Sequence, residues 1–550
     1  MTDITGTDAI PAPDGAVSII DTDYEVGQDN VRTRIGPFGL DIHQPVFPIS
    51  GLVVISFVAA VLLFHDSVGP VFSGVRVWLT SNFDWFFLLA GNVFVVLALG
   101  IAISPLGRIR IGGRKAVPDF GYIGWFSMLF AAGMGIGLIF YGVSEPISHY
   151  SSAIDGVVYG EAGRTDWAPL GGAAGNVAEA TRLSMAATIF HWALHPWGVY
   201  AIVGLSLALF AYNKGLPLTF RSIFYPIFRE KIWGWPGHII DILAVFATLS
   251  GLATSLGLGA EQATAGLQYL FGIEPTSLVK IMLVIGISAI AMASVVAGLD
   301  AGVKRLSEIN MLLAAMLALF MILVGPTWHL ITSFFDNMTA YLEHLPALAA
   351  PFGREDDQFR QGWTSFYWAW WISWSPFVGM FIARVSRGRT VREFIVSVLL
   401  VPSVVSILWM TIFGNSAIDL AVLGGEQAIF DASVELRLFE MLNILPWAQL
   451  TSLIGITLVI VFFVTSSDSG SLVIDTITAG GKVNAPLTQR VFWVIFVGLV
   501  AIALLVGGGL TALQAMSVST GFPFAIVLLL ACFSLISGLS SEPRLPAKKS

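Results

Sequence analysis

The sequence predicts an all-α polytopic membrane protein with 12 transmembrane helices. Three observations carry that prediction. Only 12% of its 550 residues are charged, against about 25% in soluble proteins. The mean hydropathy is +0.80. Apolar stretches of about 20 residues, the length a bilayer demands, recur along the whole chain. A single anchor is therefore excluded, and the net charge of −8 says less than where the charges lie. Cys532 is the only cysteine, which excludes an intrachain disulfide and a cysteine cluster for metal.

Residues 1–45 are acidic and polar, without the basic start and apolar core of a signal peptide. They are expected to form a disordered cytoplasmic tail. Two peripheral transmembrane helices follow in 46–119, with spans at 46–64 and 84–103. Residues 120–333 hold five spans, at 120–149, 184–211, 237–271, 279–299 and 306–333. A periplasmic amphipathic helix and loop are expected in 334–362, because Ile331, Phe334, Phe335, Met338, Leu342 and Leu345 recur at helical spacing. Five more spans fill 363–538, at 363–383, 392–414, 448–476, 490–508 and 511–538, and 539–550 form a short cytoplasmic tail.

The basic residues orient these spans. With both termini cytoplasmic, 21 of the 28 Lys and Arg fall on the cytoplasmic side, among them Arg108, Arg110, Arg114, Lys115, Arg384, Arg387 and Arg389. Only Arg76, Arg164, Arg182, Lys280, Arg354, Arg360 and Arg437 fall opposite. This bias satisfies the positive-inside rule for a multi-pass protein of the cytoplasmic (inner) membrane.

Two spans read as interrupted. The third contains AAGMGIG (Ala131–Gly137), and the eighth contains WISWSPF, in which Pro376 removes a backbone donor. Each opens a block of five spans, an odd number, so the blocks enter the membrane from opposite sides. Matched breaks in a 5+5 inverted repeat point to a secondary transporter with its site at the midplane. Glycines that only allow close helix packing are the plainer reading of GMGIG alone.

Aromatic residues gather at mid-membrane. Phe366–Phe377 reads FYWAWWISWSPF, with Trp368, Trp370, Trp371 and Trp374; Thr188–Tyr200 reads TIFHWALHPWGVY. Trp197 and Tyr200 share a helix face, with Trp192 above them and Pro196 loosening the helix between. Two such clusters on different helices can form a box for a quaternary ammonium, held by ring faces at up to about 2 kcal/mol per desolvated ring; a structural core of stacked aromatics is the plainer reading of either cluster alone. Trp370 reads as packing. Breaking the third span at Gly133, Gly135 and Gly137 frees N–H groups at the positive end of a half-helix, which attracts a carboxylate. Trimethylammonium at one end and carboxylate at the other describes a betaine.

The tenth span reads FFVTSSDSGS (Phe462–Ser471). Thr465, Ser466 and Ser467 offer hydroxyl oxygens that, with carbonyls of Ala131 and Met134, suit a hard cation such as Na+. Ser and Thr in spans also bond back to their own helix, and that reading stays open. Asp468, an intramembrane carboxylate, is functional by default; it tunes the ion site or bonds to a neighbouring span.

GMGIGLIFYGVSEP (Gly133–Pro146), FHWALHPWGVYA (Phe190–Ala201) and FYWAWWISWSPFVGMFIARVSRGR (Phe366–Arg389) resemble the betaine/carnitine/choline transporter family, and the resemblance runs from about Gly39 to Leu539. It implies the leucine-transporter-type fold preceded by two extra helices, commonly as a homotrimer, and no enzyme activity. It implies a substrate site of Trp192, Trp197, Tyr200 and Trp371, with Trp374 on the access path and Met134, Gly135 and Gly137 at the break. It implies one Na+ site, made by the carbonyls of Ala131, Met134 and Phe462 and the hydroxyls of Thr465 and Ser466. Na+ is thus the coupling ion, with no cofactor and no nucleic-acid partner expected.

Two departures matter. A second Na+ site in the family uses two threonines one turn apart; here they align with Thr248 and Leu252, so that site, which would also involve Phe377, is in doubt. The C-terminal SSEPRLPAKKS is shorter than the long basic tail of osmosensing members. Choline carriers of the family place aspartate where this chain has Gly137, so glycine argues for a zwitterion. Glycine betaine leads, with dimethylsulfoniopropionate, ectoine, proline betaine, carnitine and choline behind it. A sodium-independent carnitine/butyrobetaine-type exchanger fits less well with the Thr465–Ser466 pair. His191 and His195 at i,i+4 suggest haem, but no second mid-span histidine pair faces them. Asp468 has no evident mate for an aspartyl protease.

Overall fold

The computed structural model describes residues 11–36, 38–133, 135–160, 163–297 and 300–543. A hairpin of β1 (Asn30–Ile35) and β2 (Phe38–His43) precedes α1 (Val46–Leu63) and α2 (His65–Ile103). Then come α3 (Tyr122–Gly133), α4 (Ile136–Asp155), α5 (Val177–Trp192) and α6 (Leu194–Ala208). The chain continues through α7 (Trp235–Phe271), α8 (Ser277–Ala297), α9 (Asp300–Val324) and α10 (Thr327–Leu348). It closes with α11 (Ser365–Val385), α12 (Val391–Met410), α13 (Ala448–Thr478) and α14 (Leu487–Ser540). Local chemistry sets several ends. Asn176 caps α5, a Thr390/Glu393 capping box opens α12, and left-handed Gly272 ends α7.

Among the described residues, nine helices are long and apolar enough to cross a membrane. Three expected segments differ for physical reasons. The 120–149 stretch is split into α3 and α4. The 363–383 stretch is α11, whose tryptophans and serines dilute its apolarity. The 490–508 and 511–538 stretches lie in one element, α14, interrupted at Gly508 and Gly509, where Gly509 takes φ +58°.

Of the two expected interruptions, one occurs. The backbone leaves the helix between Gly133 and Ile136, with Gly135 extended at φ −138°, ψ −178°. By contrast, α11 runs unbroken through Pro376. Pro376 cannot donate to the carbonyl of Ile372, and the Ser375 hydroxyl donates to that oxygen instead, at 2.7 Å. The second break lies elsewhere: Ala193, at φ −102°, ψ −120°, separates α5 from α6. Pro196 in the first turn of α6 removes the donor that would have continued the helix.

Residues 11–43 correct the expectation of a disordered tail. The N–H of Asp14 bonds to Gly112 O (2.7 Å), that of Ile20 to Lys214 O (3.0 Å), and that of Ser18 to Glu542 Oε1 (3.2 Å). Tyr24 stacks on Trp233 at 4.1 Å. Asp41 on β2 pairs with Lys482 at 2.5 Å. Burial pushes the Asp41 pKa up, but hydrogen bonds from Lys482 and Asn30 outweigh it and hold it below the usual carboxylate range.

The amphipathic helix is α10, and its expected apolar stripe is divided, since Phe334 and Leu345 pack against the core. Ile331, Phe335 and Leu342 are exposed, whereas Ser333, Asn337 and Tyr341 are buried. Asn337 explains this, because its amide donates to Thr411 Oγ1 (2.9 Å) and Asn415 Oδ1 (2.7 Å), just beyond α12. The exposed part of the stripe, Ile331, Phe335 and Leu342, is left for lipid or another protein surface.

Candidate substrate and ion site

One cavity of about 150 Å³ lies where α4, α5, α6, α7, α9, α11 and α13 converge. Trp192, Trp197, Tyr200, Trp371, Trp374 and Phe377 line it, with Gly135, Ile136 and Gly137 at the break and Phe462, Thr465 and Ser466 on α13. The structure thus brings together residues from the two aromatic clusters, the break and the hydroxyl pair. Ala131 falls in the last turn of α3, and Met134 lies outside the described residues.

The rings meet mostly edge to face, the arrangement that aromatic quadrupoles favour. Trp192 and Trp371 are 5.0 Å apart at 79°, Trp197 and Tyr200 5.4 Å at 81°, and Tyr200 and Trp371 6.2 Å at 86°. Breaks and glycines hold the rings in place. The break at Ala193 frees the His191 carbonyl, which accepts from Trp371 Nε1–H at 2.9 Å. Trp374 Nε1–H lies 2.9 Å from Gly251 O and 3.0 Å from Ser255 Oγ. Gly251 has no Cβ because one would sit 2.7 Å from Trp374 Cδ1.

Gly137 lies within α4, not in the break. A Cβ there would stand 2.6 Å from Trp192 Cη2 and 2.8 Å from Trp370 Cη2. Glycine at this position is therefore a requirement of ring packing, whatever it also does for charge. Trp370 packs as expected, stacked on Phe366 (5.5 Å) and Trp371 (5.1 Å), although it also touches the cavity. Trp368 faces away, between Phe190, His195 and Gly91.

On α13 the Thr465 hydroxyl lies 3.1 Å from Val461 O and 3.0 Å from Phe462 O, both in its own helix. The back-bonding reading left open by the sequence is the one seen at Thr465, whereas the Ser467 hydroxyl is buried without a hydrogen-bond partner. A hydroxyl that donates to its helix keeps oxygen lone pairs for a cation, so the donor set still fits a hard ion. At the second position the fit fails. Thr248 Oγ1 donates to Ala244 O at 2.7 Å, and Leu252 packs its methyls over Gly470 on α13, where a Cβ would meet them at 2.5 Å. Phe377 is turned to the cavity and packs on Trp374 at 5.3 Å.

Sequence reasoning missed several lining groups: Ser255, Ser307, Asn310, Met311, Ser406 and Ser469. Asn310 and Met311 sit on α9, which carried no motif. It also missed Glu145, whose buried carboxylate bonds to Trp192 (2.7 Å), Tyr367 (2.5 Å) and His191 (2.6 Å). The signal was present, a carboxylate within an apolar run, and was applied only to Asp468. The two histidines considered for haem are both engaged: His191 with Glu145, His195 with Asn92 Oδ1 at 2.9 Å.

The profile of the betaine/carnitine/choline transporter family matches residues 45–544. A glycine betaine/proline/choline transporter of Vibrio parahaemolyticus is 64% identical over 98% of this chain and 98% of its own length. Glycine betaine transporter 1 of the same organism is 51% identical over 96% of this chain and 98% of its own. A glycine betaine transporter of Bacillus subtilis is 42% identical over 90% of this chain and 94% of its own.

Proposed function

Because this chain belongs to the betaine/carnitine/choline transporter family, a transporter family and not an enzyme family, we propose that it takes up a zwitterionic quaternary-ammonium osmolyte, glycine betaine or a close analogue, by Na+ symport with alternating access. One observation carries this reading: five aromatic residues, Trp192, Trp197, Tyr200, Trp371 and Trp374, share a cavity with the backbone at the α3–α4 break and with Thr465 and Ser466. The rings bind the methylated ammonium through their faces. The N–H groups of Ile136 and Gly137, which open α4 and lack helical partners, bind the carboxylate. The carbonyl of Phe462 and the hydroxyls of Thr465 and Ser466, completed by Ala131 and Met134, bind the ion.

Symport follows from charge. A zwitterion has no net charge, so membrane voltage does not concentrate it. Each accompanying Na+ adds about 2.3 kcal/mol per 100 mV, roughly 50-fold accumulation. One ion per cycle is our reading, since Leu252 displaces the second site. Twelve crossings in a 5+5 inverted repeat, both termini in the cytoplasm, location in the inner membrane and a homotrimer complete the proposal, the last with the exposed apolar stripe of α10 as a contact surface.

Choline is the second reading, favoured by the name of the 64% identical relative, a glycine betaine/proline/choline transporter. Uptake of labelled glycine betaine into proteoliposomes, with and without an inward Na+ gradient and with choline, proline, ectoine, carnitine and dimethylsulfoniopropionate as competitors, tests both. Betaine uptake that ignores sodium overturns the symport; choline competing on equal terms overturns the zwitterion preference.

A further inference from the structure

We propose that Glu145 is a positioning residue of the aromatic box, a buried carboxylate that fixes its rings and makes the Trp192 face more attractive to a cation. The proposal rests on reading the cavity as the quaternary-ammonium site. Glu145 lies on α4 and is fully buried, with His149, His191 and Tyr367 equally buried around it. Its Oε2 accepts from Trp192 Nε1–H at 2.7 Å and from the Tyr367 hydroxyl at 2.5 Å. Its Oε1 lies 2.6 Å from His191 Nδ1 and 3.1 Å from His149 Nε2.

The donors identify the acceptor. An indole N–H only donates, and the His191 ring can present Nδ1–H to Glu145 while its other nitrogen accepts from the Thr364 hydroxyl at 3.0 Å. Four donors on two oxygens suit an ionised carboxylate, whereas an amide or protonated acid would set a donor against a donor. Ligand atoms of Glu145, His149 and His191 lie within 4.8 Å of one another. The 2.6 Å separation is a hydrogen bond, shorter than the spacing of neighbouring ligands around a tetrahedral metal.

This grip reaches the box by two routes. Trp192 is held directly, and Trp371 is held through His191, whose carbonyl accepts its N–H at 2.9 Å and whose ring stacks on Tyr367 at 4.6 Å. An anion on the N–H edge of an indole also raises the electron density of its face, which strengthens attraction for an ammonium. The effect is greatest for a ligand with net positive charge, because a zwitterion brings a carboxylate that the same anion repels.

The test compares purified wild type, Glu145→Gln, Trp192→Phe and the double variant in lipid nanodiscs. Betaine binding is read by intrinsic fluorescence, choline by competition, and uptake in proteoliposomes. Glu145→Gln is expected to weaken betaine at least tenfold and choline at least threefold more than that, with KM rising more than kcat falls. Trp192→Phe keeps the ring and loses the N–H. It is expected to weaken betaine several-fold, and the double variant is expected to be no weaker than Glu145→Gln alone. Unchanged betaine and choline binding by a folded Glu145→Gln, or losses that multiply fully in the double variant, overturn the proposal. If Glu145→Gln does not fold, Trp192→Phe with Tyr367→Phe decides it, and wild-type binding in both overturns it. Wild type that binds no betaine overturns the functional reading itself.

Discussion

The aromatic end of the cavity and its hydroxyl end are held in different ways. At the aromatic end, three ring donors bond to other helices: Trp192 to Glu145 of α4, Trp371 to His191 of α5, and Trp374 to Gly251 and Ser255 of α7. At the hydroxyl end, Thr465 bonds within α13 itself. Cross-helix bonds fix the rings before any ligand arrives, so little ordering cost remains at binding. A hydroxyl bonded within its own helix, as that of Thr465 is, does not tie that helix to its neighbours. The contrast is thus between rings fixed across helices and a hydroxyl, that of Thr465, whose bonds stay within α13.

Four variants break or sharpen this contrast, ranked by their effect on betaine. Gly137→Asp drives a Cβ into Trp192 and Trp370. Overpacking costs about 1–3 kcal/mol, and the new carboxylate repels that of the substrate, so betaine affinity is expected to fall on the order of 100-fold. Choline uptake is expected to rise relative to betaine, and competition between labelled substrates measures the ratio. Trp371→Leu keeps bulk and loses the ring face. At least a tenfold loss of apparent affinity, about 1.4 kcal/mol, is expected in uptake KM, with assembly retained.

Thr465→Ala with Ser466→Ala acts at the other end. The expected result is a several-fold rise in the sodium concentration for half-maximal uptake, with betaine KM at saturating sodium little changed. A sodium titration of uptake measures both, and a Hill slope of about one is expected for the wild type. Trp368→Leu is the control for the preformed end, since Trp368 faces Phe190, His195 and Gly91. Betaine affinity should stay within about twofold, while a core truncation lowers the thermal midpoint.

What the sequence revealed follows from the range of the forces involved. The aromatic box was legible because helical spacing places Trp197 and Tyr200 on one face, and glycine-rich GMGIG announced the break before Ile136. Pro376 misled, because Ser375 supplies the donor that proline lacks, a repair one residue away. The break at Ala193 was visible only as a loosening by Pro196. Glu145 needed knowledge of which residues face it across α5 and α11, and periodicity carries no such information. The inward polar face of α10 was hidden for the same reason, since the partners of Asn337 lie more than 70 residues away in sequence. The docked N-terminal segment binds in part through backbone groups, those of Asp14, Ser18 and Ile20, which its acidic composition does not disclose.

That segment sets an order of assembly. Ser18 meets Glu542, a partner 524 residues downstream. At about 5–20 residues per second of synthesis, roughly half a minute to two minutes separate the emergence of the two. During that interval the helices are threaded into the bilayer while the first residues wait without their partner. The bonds to Gly112, Lys115 and Lys214 have their partners early, so the Ser18–Glu542 contact is the last of this strap to close, and its closure reports that the chain has been made through residue 542. A protease added at intervals to a synchronised translation in the presence of membranes would cut near Ser18 until Glu542 has been released, and then cease to do so.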